Sequence, residues 1–123
     1  MTVGLATTNA NSALTTLITG ADFVKLHTGD PGSAGTSNAS AETTRKAVTW
    51  ASPSSGSVAL NGTLPSWTSW SAGSETISHV SFWSASSGGT FKFSIALTSS
   101  KPVTNNDTFN LTSGSLSAAP LAA

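Results

Sequence analysis

The segment from Lys25 to Gly32, Lys-Leu-His-Thr-Gly-Asp-Pro-Gly, places a base, a hydroxyl and an acid close together. A histidine paired with a carboxylate is the working part of general-base catalysis and of many metal sites. Strand geometry argues against either use. On an extended segment His27 shares a face with Lys25 and not with Leu26. Asp30 lies beyond Gly29, at the head of an Asp-Pro-Gly turn, where Pro31 sets φ and Gly32 supplies the positive φ that follows. Asp30, Pro31 and Gly32 therefore read as turn-forming residues, with the Asp30 carboxylate on nearby amides. A zinc site needs three or four ligands, yet the only other histidine is His79 and cysteine is absent. No metal and no cofactor are expected.

The remaining chemistry-bearing residues lead the same way. The serines include no Gly-x-Ser-x-Gly elbow, and neither histidine has an acid at a spacing that would orient it as a base. The five carboxylates, Asp22, Asp30, Glu42, Glu75 and Asp107, fall in turns, loops or strand ends, not as a pair across a cleft. No phosphate-cradling glycine loop is present. The expectation is a protein without enzymatic activity. The tryptophans are the sharper feature: Trp50, Trp67, Trp70 and Trp83, in a chain with no tyrosine. Trp67 and Trp70 stand three apart in Ser-Trp-Thr-Ser-Trp, so on a strand they point to opposite faces. One then packs in the core, and the other becomes a candidate to stack on a sugar ring or fill a pocket on a partner. Core packing is the preferred reading for this pair as it is for Trp50 and Trp83, and the outside role is the alternative.

The elements that must position these residues are mostly strands. Residues 8–19 offer the one helix, with Leu14, Leu17 and Ile18 on one side, Thr8 or Asn9 as cap and Gly20 as stop. Residues 23–28 alternate as a strand, and 29–41 form a long polar loop. Strands follow at 47–51, 57–60, 66–70 and 76–84, the last the longest central one. Asn61-Gly62 signals a tight turn. Gly88 and Gly89 turn the chain after Ser87, and Phe91, Phe93, Ile95 and Leu97 alternate with Lys92, Ser94, Ala96 and Thr98. A further turn at Asn105-Asn106-Asp107 precedes a strand with Phe109 and Leu111. About seven short strands separated by turn signals predict an all-β fold, an antiparallel β-sandwich of jelly-roll type with a short N-terminal helix. The expected organisation is an N-terminal arm and helix over 1–20, a sandwich domain over 21–114 and a C-terminal tail over 115–123.

Composition narrows the partners. Ten of the 123 residues are charged, 8%, and the net charge is zero, against about 25% charged in a typical domain. No basic stripe exists to neutralise phosphates, so nucleic acid is not expected as a partner. No cationic amphipathic segment or long apolar run points to a membrane. The N-terminus lacks the Lys/Arg n-region and continuous apolar stretch of a signal peptide. An uncharged Ser/Thr surface suits a protein packed in an assembly.

Three segments carry a family likeness. Leu26-His27-Thr28, then Asp30-Pro31-Gly32, then Ala47-Val48-Thr49-Trp50, and finally His79-Val80 with Trp83-Ser84-Ala85 and Gly88-Gly89-Thr90-Phe91 resemble small structural proteins of tailed bacteriophages. These are especially phages of actinobacteria, whose proteins are called tail-fibre-like, minor tail or head-decoration proteins. Ser81 and Phe82 depart from the Gly-Leu usual at those places, a mild packing change. The resemblance covers roughly residues 14–112. It implies a β-sandwich that oligomerises, usually as a trimer, and no enzymatic activity. On that basis the expected protein is a virion component. The first expectation is a capsid decoration protein that bridges major capsid subunits on the outside of the head. The alternative is a tail-fibre or baseplate adhesin that binds host glycan.

Overall fold

Residues 6–112 and 114–117 are described by the computed structural model. The expected arm residues 1–5 and tail residues 118–123 lie outside the described residues. In chain order the elements are α1 (Thr7–Ile18), β1 (Phe23–His27), β2 (Lys46–Ala47), β3 (Thr49–Trp50), β4 (Ser57–Asn61), β5 (Ser66–Trp67), β6 (Glu75–Trp83), β7 (Phe91–Val103), β8 (Phe109–Asn110) and β9 (Ser115–Ser117). The fold is all-β with one short helix. Every strand pairing is antiparallel. The main sheet has the order β2-β1-β6-β7; a second has the order β3-β4-β9, and β5 pairs with β8.

Period-2 alternation divides the main sheet into two faces. Val24 stands opposite Phe82 and Leu26 opposite Val80, while Phe82 and Val80 face Phe93 and Ile95 across the next ladder. These side chains form one face and pack against Val48, Trp67 and Phe109 from the other strands, with Trp50 and Leu60 half-buried at the margin. Trp50 and Phe93 both lean on Phe82, with ring centroids 5.2 and 4.9 Å from it. The opposite face carries His27, Ser81 and Trp83, all buried.

Residues 47–51 do not form one strand. Lys46 and Ala47 pair with β1, whereas Thr49 and Trp50 pair with β4. The chain changes sheet at Val48, whose N–H donates to Asp22 O at 2.9 Å. Such a crossing is how a strand makes a sandwich corner. The tight hairpin turn also moves. Ser55 and Gly56 both have positive φ, 53° and 75°, and Ser54 and Ser57 exchange both backbone hydrogen bonds. Two central residues of positive φ make the turn that suits twisted hairpins. Asn61 instead ends β4. Residues 115–117 of the expected tail pair with β4.

The helix starts one residue before the expected range. Its cap is Ala6, without a side-chain hydrogen bond, so neither Thr8 nor Asn9 caps it. Ala10 and Leu14 are its buried residues, and Leu17 stays 46% exposed. Asn11 accepts from the Gly56 N–H at 2.9 Å, which pins the helix to the Ser55-Gly56 turn. Gly20, at φ 80°, ends it as expected.

The polar segment 29–41 is not a free loop. It lies over the second face of the main sheet, and Ser40 and the Ala41 N–H anchor its end on the Glu75 carboxylate at 2.6 and 3.1 Å. Gly35 is buried beneath Phe91 with φ 73°. A Cβ there would fall 2.6 Å from Phe91 Cγ, and the Phe91 ring already leans on Trp83, with centroids 5.4 Å apart. Gly35→Ala is therefore expected to cost about 1–3 kcal/mol, the usual range for a strained backbone held in place, read as a lower urea midpoint at unchanged slope.

Candidate functional site

Asp30 belongs to its own turn. Its Oδ1 accepts the Gly32 N–H at 2.8 Å and its carbonyl accepts Asn38 Nδ2 at 3.0 Å. Gly32 has φ 77° and Pro31 is buried. Neither nitrogen of the His27 ring reaches Asp30. Nδ1 lies 2.9 Å from Ser37 O and Nε2 lies 2.7 Å from Ser81 Oγ.

Chemistry settles the tautomer. A carbonyl oxygen only accepts, so Nδ1 carries the hydrogen and donates it to Ser37 O. In the neutral ring Nε2 is then an acceptor, and the Ser81 hydroxyl donates its hydrogen bond to it. Ser81 Oγ in turn accepts the indole N–H of Trp83 at 2.7 Å. Each group donates to the next, from Trp83 to Ser81 to His27 and finally to the accepting Ser37 carbonyl, and His27 and Ser81 have no solvent exposure. Burial lowers the His27 pKa below its ordinary value, and the positive charge of Lys25 and, more weakly, His79 add to this; the backbone partners Ser37 and Asn38 oppose it.

A histidine 2.7 Å from a serine hydroxyl has the form of a base and its nucleophile. Here the hydroxyl's hydrogen bond is given to His27, one lone pair is taken by Trp83, and the pair is sealed. A substrate has no route to it in this structure. The network joins β1, β6 and the 29–41 segment, and it is a packing device. Among the described residues, no cluster of three or more His, Cys, Asp or Glu side chains could hold a metal ion. No described helix is long and apolar enough to cross a membrane.

Arg45 closes the other end of this face. Its guanidinium lies 4.2 Å over the Trp83 ring, and Nη1 donates to Ala85 O and Gly88 O at 2.9 and 2.7 Å. That fixes the turn at 84–90, where Gly88 and Gly89 have φ 63° and 73°. A Cβ on Gly89 would meet Ser84 Oγ at 2.7 Å and Ala85 Cβ at 2.9 Å. Ser81 and Arg45 were not singled out in the sequence as partners of the histidine. One signal existed: Ser81 stands two residues from both His79 and Trp83, on one face of a strand.

Trp67 and Trp70 both take the core place preferred for them, not the outside place kept as the alternative. Both are buried, 2% and 1% exposed. Strand alternation does not extend across the pair, because β5 ends at Trp67 and Ser69 adopts φ 51°. The chain bends there and turns Trp70 inward too. Trp67 Nε1 donates to Thr44 O and Trp70 Nε1 to Gly73 O, at 2.9 and 2.8 Å. Neither ring offers a face to a sugar or a partner.

With this geometry in view, the comparison with known families decides the kinship. A family model described as podophage GP4 fiber I protein gp80 matches residues 4–119. The chain belongs to this family. No curated protein matches it. Membership of the gp80 fibre family makes the chain a virion-associated bacteriophage structural protein. The description names a fiber, whereas the first expectation from the sequence was the head.

Proposed function

We propose that the protein is a non-enzymatic subunit of a fibre on the virion. The observation that carries this reading is the family match over residues 4–119. The structure supports the absence of catalysis through the sealed His27–Ser81 pair, whose groups are all committed to one another. The reading includes self-association as a trimer. In its support, β7 and β9 are outer strands of their sheets among the described residues, and outer strands can pair with another chain.

Gold-labelled antibody against the protein, viewed on intact virions, tests the placement. Label confined to tail appendages is the expected result. Label spread over the heads would overturn it in favour of the decoration role. Sedimentation of the purified chain tests the trimer, and a monomer at all concentrations would remove that part.

A further inference from the structure

The main sheet ends on an irregular strand. Ile77 pairs with Lys101 and His79 with Ala96, so Leu97 to Ser100 of β7 face Ser78 alone. A bulge of this kind bends the strand and re-aims its side chains, often beside binding sites. Here it forms one wall of an open cleft of about 570 Å³, and residues 108–112, 114 and 115 form the other. Ile95 and Leu97, both half-buried, lie on its floor with Phe109 and Leu111. Ligand sites commonly occupy roughly 300–1,000 Å³.

The polar side chains of this cleft are Thr98, Ser99, Thr108, Asn110, Thr112 and Ser115. Among the described residues none of them is engaged in a side-chain hydrogen bond. The 29–41 segment is different, for Asp30, Asn38 and Ser40 there are all tied down. Lys101 is the one charged residue lining the cleft.

We propose that this cleft binds a neutral oligosaccharide. Hydroxyl and amide side chains both donate and accept, as sugar hydroxyls do. The apolar floor suits the C–H face of a sugar ring, whose burial is favourable. A single lysine is too little for a polyanion, which needs several cations. The site owes nothing to Trp67 or Trp70. It extends the fibre reading without resting on it, since the chemistry is the same wherever the subunit sits on the particle.

Isotope-labelled protein titrated with short neutral oligosaccharides of glucose, galactose, mannose and N-acetylglucosamine tests this by amide chemical shifts. Saturable shifts confined to residues 95–101, 108–112, 114 and 115 are expected for at least one sugar. Asn110→Ala and Thr98→Ala should each weaken that binding about tenfold, the loss expected for one good hydrogen bond. Both side chains are exposed, so unchanged shifts elsewhere will show that the variants fold. No response to any of these sugars, or equal binding by both variants, would overturn the proposal. So would cleft shifts that follow protein concentration and not sugar, which would make the cleft a contact between copies.

Discussion

Trp67→Ala should lower the unfolding free energy by about 3–5 kcal/mol, as large-to-small changes of buried aromatics do. The side chain is 2% exposed and meets Phe109 edge-on, with centroids 5.7 Å apart. That contact lies within the β5–β8 pair, and both rings belong to the main buried core. Truncation leaves a cavity and also orphans Thr44 O, which accepts the indole N–H at 2.9 Å. A domain's total stability is only about 5–15 kcal/mol, so the variant should unfold at a far lower guanidinium concentration or fail to fold. Trp67→Phe keeps much of the volume and should cost markedly less. A loss below about 1 kcal/mol for the alanine variant would be typical of a surface site and would show that the ring is not in the core.

Ser81→Ala should cost about 2–6 kcal/mol, because it strands two buried groups at once at roughly 1–3 kcal/mol each. Trp83 Nε1 loses its acceptor and His27 Nε2 loses its donor. The same network sets a pH dependence. The folded pKa of His27 lies below the ordinary value of 6.5, first because of burial. The unfolded chain therefore binds the proton more readily than the folded one. The His27 contribution is complete above about pH 6.5 and is lost as the pH falls below it, by at most about 1.4 kcal/mol per pH unit. Urea unfolding between pH 7.5 and 5 should show this slope in the parent and a flatter one in His27→Gln. Equal slopes in the two proteins would mean that His27 is not held neutral. A Gly-Leu pair at positions 81 and 82, the form usual in the phage proteins that the sequence resembles, has no hydroxyl to link the histidine and the indole. The departure at Ser81 is thus more than a mild packing change in this chain.

The strands were readable because their signal is local. Val24 with Leu26, and Phe93 with Ile95 and Leu97, alternate in the chain as they do in the sheet, and burial of one face enforces that register. The Asp30-Pro31-Gly32 turn and the Gly88-Gly89 turn were readable for a similar reason, since proline and positive-φ glycine act within a few residues. The boundaries failed where a distant partner decides. Nothing local in 47–51 tells that Ala47 pairs with β1 and Trp50 with β4. The core reading of Trp67 and Trp70 held, and the outside alternative failed because Ser69, at φ 51°, breaks the alternation that it needed.

By itself the sequence determined the all-β class, the absence of cysteine and the likeness to bacteriophage structural proteins. These follow from composition, period and short motifs, which the chain carries at every stage of folding. Only the tertiary structure decided that His27 is buried and donates to Ser37 O, that both tryptophans of Ser-Trp-Thr-Ser-Trp are core, and that the bulge at 97–100 borders a cleft lined across from it by residues 108–112, 114 and 115. Each joins residues from ten or more positions apart to beyond fifty, or sets a burial that only long-range packing creates. Hydrogen-bond partners and solvent exposure at that range are properties of the folded sheets, not of any short segment.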